Sequence, residues 1–163
     1  MTESIRLADM KVKDIRHLLV EDPATTSPTA SLLEVLEEMK KDLRTRHVYV
    51  VDESGRLLGT VRMGSVVEFL FPFDAVIEHN TPLYESYVPR LGAQTAADLM
   101  HAPGVRVTEE TSLGDMARLL IREAINELPV VDENERLIGQ VSVYETIKAY
   151  LDLQGLSRKE IEL

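Results

Sequence analysis

Ser142-Val143-Tyr144-Glu145 sets a hydroxyl and a carboxylate three residues apart where a helix is predicted to open. A pair at that spacing closes a capping box, each side chain taking up a free backbone N–H of the first turn. Arg46-His47 stand just before a predicted buried strand. A guanidinium there can fork onto a phosphate with two hydrogen bonds, or it can be an ordinary strand-edge charge. The four histidines, His17, His47, His79 and His101, show no metal spacing with one another or with a carboxylate pair. Adjacent Glu78-His79 point their side chains different ways. With no cysteine there is no disulfide, no thiolate metal site and no thiol nucleophile. Ser–His–Asp patterns, glycine-rich phosphate loops and paired catalytic carboxylates are missing, so the sequence predicts no enzyme and no metal site. Asp52 and Asp132 head turns, where a carboxylate serves turn formation.

The elements that carry these residues are written twice. Val50–Val61 reads VVDESGRLLGTV and Val130–Val141 reads VVDENERLIGQV, identical at eight of twelve positions with an offset of 132 − 52 = 80. At the same offset Leu33, Leu36 and Met39 fall on Leu113, Met116 and Leu119, the apolar stripe of an amphipathic helix. Ser31-Leu32-Leu33-Glu34 predicts a capping box at the first of these helices. Val48–Val51 and Leu128–Val131 are short β-rich runs that read as buried strands. Asp52–Gly55 and Asp132–Glu135 supply turns, and 57–61 and 137–141 the returning strands. A helix is predicted from Ser65 to Phe71 and another from Tyr144 to Leu153, with lead-in strands near Thr25 and Val105. A three-stranded sheet of this size buries too little surface to stand alone, so two copies are expected to pack sheet to sheet around a shared core.

The run INELPVVDENERLIGQVSVYETI, Ile125 to Ile147, resembles the signature of the CBS domain, the family named after cystathionine β-synthase. The features are Pro-Val-Val-Asp, a charged turn, an apolar-Gly-apolar-apolar strand and a Ser/Thr-x-x-Asp helix start. RHVYVVDESGRLLGTVRMGSVV resembles it with Tyr49 in place of proline. The resemblance spans residues 12–72 and 96–152. It implies an α+β fold of two pseudo-symmetric repeats, each a small, mostly antiparallel three-stranded sheet with two helices, packed sheet to sheet as a Bateman module. The expected organisation is repeat 1 over 12–72, an aromatic and proline-containing insert over 73–95, repeat 2 over 96–152 and a C-terminal tail over 153–163.

The same resemblance implies two clefts, each built from both repeats, that bind adenosine-containing small molecules. The Ser/Thr-x-x-Asp element serves ribose and phosphate there, because helix-start N–H groups and the helix dipole favour an anion. Ser142 and Glu145 match it, with Glu replacing Asp, and the capping and ligand roles stand side by side. Tyr144 and Gln140 flank this element, and Thr25, Thr45, Arg46 and His47 align with the other side of the same cleft. Both threonines also read as plain strand residues. The second cleft draws on Arg62, Ser65, Val105, Ile125 and Asn126. No carboxylate stands there for a ribose, and Arg62 reads as a phosphate contact or a solvated charge.

Together these features predict a regulatory sensor of AMP, ADP or ATP that requires no cofactor. It would act as a homodimer or through an effector protein. The competing reading is a ligand-free interaction module with degenerate clefts. A net charge of −10 argues against nucleic acid. No apolar run reaches the length of a membrane helix and the N-terminus lacks a signal-peptide core, so the expected location is the cytoplasm, away from membranes. The stretch from Phe69 to Gln94, which runs into the insert, carries Phe69, Phe71, Phe73, Tyr84 and Tyr87, and either packs on the module's own core or forms a partner surface. A short capped helix is expected from Ser157.

Overall fold

The computed structural model describes residues 6–42, 46–71, 93–102 and 104–155. These form two compact units that do not follow chain order: Ala24–Gly104 is one, and Met1–Pro23 joins Val105–Leu163 in the other. We call the latter the split unit and the former the continuous unit. Residues 72–92, which take in most of the insert expected over 73–95, Thr45, and residues 156–163 of the tail expected over 153–163 lie outside the described residues.

The continuous unit runs β1 (Thr25–Thr26), α1 (Leu32–Lys40), β2 (His47–Val51), β3 (Leu57–Arg62), α2 (Met63–Leu70) and the short α3 (Ala96–Leu99). The split unit begins with 3-10 turns at Leu7–Asp9 and Val12–Leu18. It continues with β4 (Val107–Thr108), α4 (Leu113–Arg122), β5 (Glu127–Val131), β6 (Leu137–Ser142) and α5 (Val143–Leu153). Each unit holds one mixed three-stranded sheet, in the orders β1-β2-β3 and β4-β5-β6. The lead-in strand is parallel to its neighbour and the hairpin is antiparallel. The repeat extends to register: His47 faces Arg62 as Glu127 faces Ser142.

Local chemistry explains the boundaries. Ser31 and Glu34 close the expected capping box on α1. Asp52 Oδ1 accepts from the backbone N–H groups of Ser54 (2.9 Å) and Arg56 (3.0 Å). Asp132 does the same for Asn134 (2.8 Å) and Arg136 (2.9 Å). Both carboxylates therefore organise their turns. Helix α2 starts at Met63, two residues before the expected Ser65. Arg62 still pairs with His47, and Met63 N–H donates to Arg46 O at 2.9 Å, so strand passes directly into helix. The second lead-in strand is Val107–Thr108, and Val105 lies before it, half-buried.

The core of each unit is completed by chain from far away in sequence. In the split unit Val12 and Ile15 are buried with Leu113, Met116, Leu128, Val130 and Val141. Val12 N–H donates to Thr111 O and Val20 exchanges two bonds with Gln140 (3.0 and 2.9 Å). In the continuous unit Ala93, Ala96 and Leu99 join Val35, Val50, Val61 and Val66, and His101 exchanges two bonds with Thr60 (2.9 and 3.1 Å). Fully burying one Val or Leu side chain contributes about 1.5–3 kcal/mol, so these few anchors hold the distant segments in place. The glycine of each apolar-Gly-apolar strand sits under the crossing segment. A Cβ on Gly59 would stand 2.8 Å from His101 O, and one on Gly139 3.1 Å from Val20 O.

Candidate functional site

In both units the residues singled out by type and spacing gather where the last strand becomes a helix. In the split unit this junction is β6–α5. Ser142 is the N-cap, with extended backbone, and its hydroxyl accepts from Tyr144 N–H at 3.0 Å. Its own N–H donates to Glu145 Oε2 at 2.7 Å, and its hydroxyl donates to the same oxygen. Glu145 is only 5% exposed. Both hydrogen bonds that Ser142 makes to this carboxylate fall on Oε2. The cap therefore occupies one oxygen and leaves the other to accept from a further donor. Gln140, half-buried on the same strand face, donates to Glu127 Oε2 at 3.2 Å. Tyr144 is exposed and carries the Lys148 ammonium 4.7 Å from its ring centre.

In the continuous unit the junction is β3–α2, with different chemistry in the same frame. Arg62 is the N-cap and its side chain makes no cap bond. Ser65 takes the position of Glu145 and is 2% exposed. Its hydroxyl lies 3.0 Å from His101 Nε2, brought in by the segment after α3. His47 is buried opposite Arg62, its ring tilted against Tyr49 at 6.5 Å. Arg46 is exposed, and its carbonyl accepts from Met63 as Asn126 O accepts from Val143 at 3.0 Å. One junction thus carries two buried carboxylates, Glu127 and Glu145. The other carries Arg46, His47, Arg62 and His101.

The remaining candidates are spread more widely. Thr25, in β1, is exposed and pairs with Tyr49 of β2. Val105 and Ile125 pack against the apolar cluster of the split unit. Thr45 lies outside the described residues. His101, Glu127 and Thr60 were not selected from the sequence. Glu127 and Thr60 could have been found at the repeat offset from His47 and Gln140. His101 carried no such signal, because its contact with Ser65 spans 36 positions. Among the described residues no group of three or more His, Cys, Asp or Glu side chains could hold a metal ion. No helix among them is long and apolar enough to cross a membrane.

Comparison with known proteins gives a consistent result. The family model of the CBS domain matches residues 12–72 and 96–152. An uncharacterized 33.4 kDa protein in a ribosomal RNA operon of Thermofilum pendens is 31% identical over 137 residues, covering 81% of this chain and 44% of that protein. The chain thus spans less than half the length of that curated relative. A CBS domain-containing protein of Thermotoga maritima superimposes with a TM-score of 0.70 at 28% identity, covering 93% of this chain and 99% of the other. The structure of CBSX2 in complex with AMP superimposes with a TM-score of 0.69 at 22% identity, covering 89% and 98%.

Proposed function

The chain belongs to the CBS domain family, and on that premise we propose that it is a regulatory module that binds an adenosine-containing small molecule. AMP, ADP and ATP are the ligands to try first. The observation that carries this reading is the β6–α5 junction. A buried carboxylate, Glu145, is oriented by Ser142 through one oxygen and can accept ribose hydroxyls through the other. A capping box on an exposed helix needs no burial, as Ser31–Glu34 shows in this same chain, where both residues are exposed. The AMP bound in the CBSX2 structure makes AMP the first probe, the 22% identity itself showing the fold alone.

Output through self-association is part of the proposal. Met63, Val67 and Leu70 stand exposed along α2, and Tyr144, Ile147 and Tyr150 along α5. Their spacing makes one apolar stripe on each helix, and contiguous exposed apolar surface marks an interaction face. A homodimer would cover such faces, and an effector protein could compete for them. We place the module in the cytoplasm, where adenine nucleotides are abundant, and assign it no catalytic step.

The test is a thermal-shift titration of the purified chain with AMP, ADP, ATP and adenosine. A ligand that binds only the folded state adds about 2.7 kcal/mol at 100 times its dissociation constant. A concentration-dependent rise with an adenosine compound supports the sensor. No rise with any of them at millimolar levels overturns it and leaves the interaction module.

A further inference from the structure

The segment from Leu7 to Val20 reaches the split unit from far along the chain and is fastened to it at two places. The first is the stretch before α4. Val12 N–H donates to Thr111 O and Lys13 N–H to Glu109 O, both at 3.0 Å, and Leu113 N–H donates to Met10 O at 2.7 Å. Lys11 (2.6 Å) and Lys13 (2.7 Å) pair with Glu110, and Arg16 (2.6 Å) with Glu109. The second is β6, at the edge of its sheet, where the backbone of Val20 takes up both the N–H and the C=O of Gln140. The attachment is light. Within residues 7–20 only Val12 and Ile15 are buried. The 3-10 turns are interrupted at Ile15 (φ −109°, ψ 18°), and surface ion pairs contribute little. Where His101 crosses β3, a side-chain lock is added, Ser65 Oγ lying 3.0 Å from His101 Nε2. The isopropyl group of Val20 cannot form one. Few buried contacts and backbone bonds at the surface mark a segment that opens on its own.

Opening would act on the β6–α5 junction. Gln140, bonded through its backbone to Val20, donates through its side chain to Glu127 Oε2 at 3.2 Å. Glu127 pairs across the hairpin with Ser142, the N-cap that holds Glu145. Val20 thus secures β6 two residues before the cap. We infer that residues 7–20 are a strap, a regulatory element that opens as one piece, and that its closure keeps the β6–α5 junction ordered. Whatever holds the strap shut steadies the carboxylate of Glu145, and whatever draws it off loosens the start of α5. A ligand seated at the junction must in turn hold the strap shut, because coupling between two sites is reciprocal. That link to a ligand rests on the adenosine-binding reading above.

Hydrogen exchange on the full chain, with a cross-link that locks the strap, is the experiment. Lys11 and Ser112 face each other antiparallel, flanked by the bonds from Val12 N–H to Thr111 O and from Leu113 N–H to Met10 O. Facing Cα atoms at such a position stand about 4.5 Å apart, within reach of a disulfide. The chain has no cysteine, so Lys11→Cys with Ser112→Cys can form one disulfide, and the reduced form of the same variant is the control for folding. In wild type the amides of Val12, Lys13, Val20 and Gln140 should exchange together, about tenfold or more faster than those of the central strand β5. Oxidising the variant should slow them, and the amides of Ser142 and Tyr144 with them. AMP at 100 times its dissociation constant should slow the same amides of wild type by up to about 100-fold. Strap amides as slow as those of β5 overturn the inference, as do Ser142 and Tyr144 amides indifferent to the cross-link. A cysteine pair that does not oxidise contradicts the closed strap. AMP that binds by calorimetry and leaves the strap amides unchanged overturns the coupling. AMP that does not bind counts against the sensor, and the ligand-free exchange still decides the strap.

Discussion

Ser142 directs both its backbone N–H and its hydroxyl to a single oxygen of Glu145, the N–H at 2.7 Å. The serine thereby fixes the carboxylate of a residue that is 5% exposed. The cap uses one oxygen, so it does not conflict with the ligand contact proposed for the other.

That division makes Glu145 separable by mutation. Glu145→Ala should cost about 1 kcal/mol of stability through the lost capping box and should also weaken adenosine compounds. Glu145→Gln keeps an amide oxygen that can accept from Ser142, and should recover most of the stability while binding stays weak. Urea denaturation and ligand titration on the same samples read the two effects. Equal affinity in all three proteins would reduce Glu145 to a cap.

The crossing at Gly59 should tolerate no side chain. A Cβ there would lie 2.8 Å from both His101 O and Met100 Sδ. The backbone oxygen cannot move without breaking the paired bonds between Thr60 and His101. Gly59→Ala is expected to destabilise by about 1–3 kcal/mol, as overpacking does. Gly139→Ala, with 3.1 Å to Val20 O, should cost less. Denaturation midpoints of the two variants give the comparison directly.

Acid should weaken the tie between the N-terminal segment and Glu110. Glu110 accepts from Lys11 (2.6 Å) and Lys13 (2.7 Å), and these bonds, then the lysine charges, hold its carboxyl at about 2, below the usual 4.5. A lowered folded-state value means the contribution is present above pH 4.5 and is lost as pH falls towards 2. Because these groups are solvent-exposed, the effect is small and salt-sensitive. Glu110→Gln should flatten the loss of stability across that window. Acid titration followed by circular dichroism at low and high salt is the measurement, and an unchanged acid slope in the variant would contradict it.

The apolar stripes on α2 and α5 should govern association. Ile147 is 50% exposed, so Ile147→Glu leaves folding untouched and places a charge in any interface that uses the stripe. Light scattering after gel filtration is expected to show a dimer for wild type and a monomer for the variant. A wild-type monomer at high concentration would remove the self-association proposal.

Much of this was legible in the sequence because it is local. The Ser31–Glu34 box, the Asp52 and Asp132 turns and both hairpins depend on residues within a few positions of one another. The 80-residue repeat placed strands and helices to within one or two residues, α2 being shifted because Arg62 still belongs to β3. Family resemblance located both junctions, since Ser142, Glu145, Arg62 and Ser65 all fall inside a contiguous motif. The aromatic insert expected over 73–95, and the helix expected from Ser157, fall mainly or wholly outside the described residues.

What only the tertiary structure decided is long-range. The sequence marked Gly59 and Gly139 as motif residues, and the crossing of a distant segment over each strand explains why no side chain fits there. It screened His101 for metal spacing, and folding set it against Ser65 instead. It counted Val12 and Ile15 as part of the first repeat, and folding buried them with Leu113 and Leu128 of the second. Periodicity and capping report on neighbours along the chain, where backbone geometry fixes which side chains meet. Which apolar segment completes which core is a competition between near-equivalent burial sites, and only the packed structure, by volume and by backbone hydrogen bonds across ninety residues and more, resolves it.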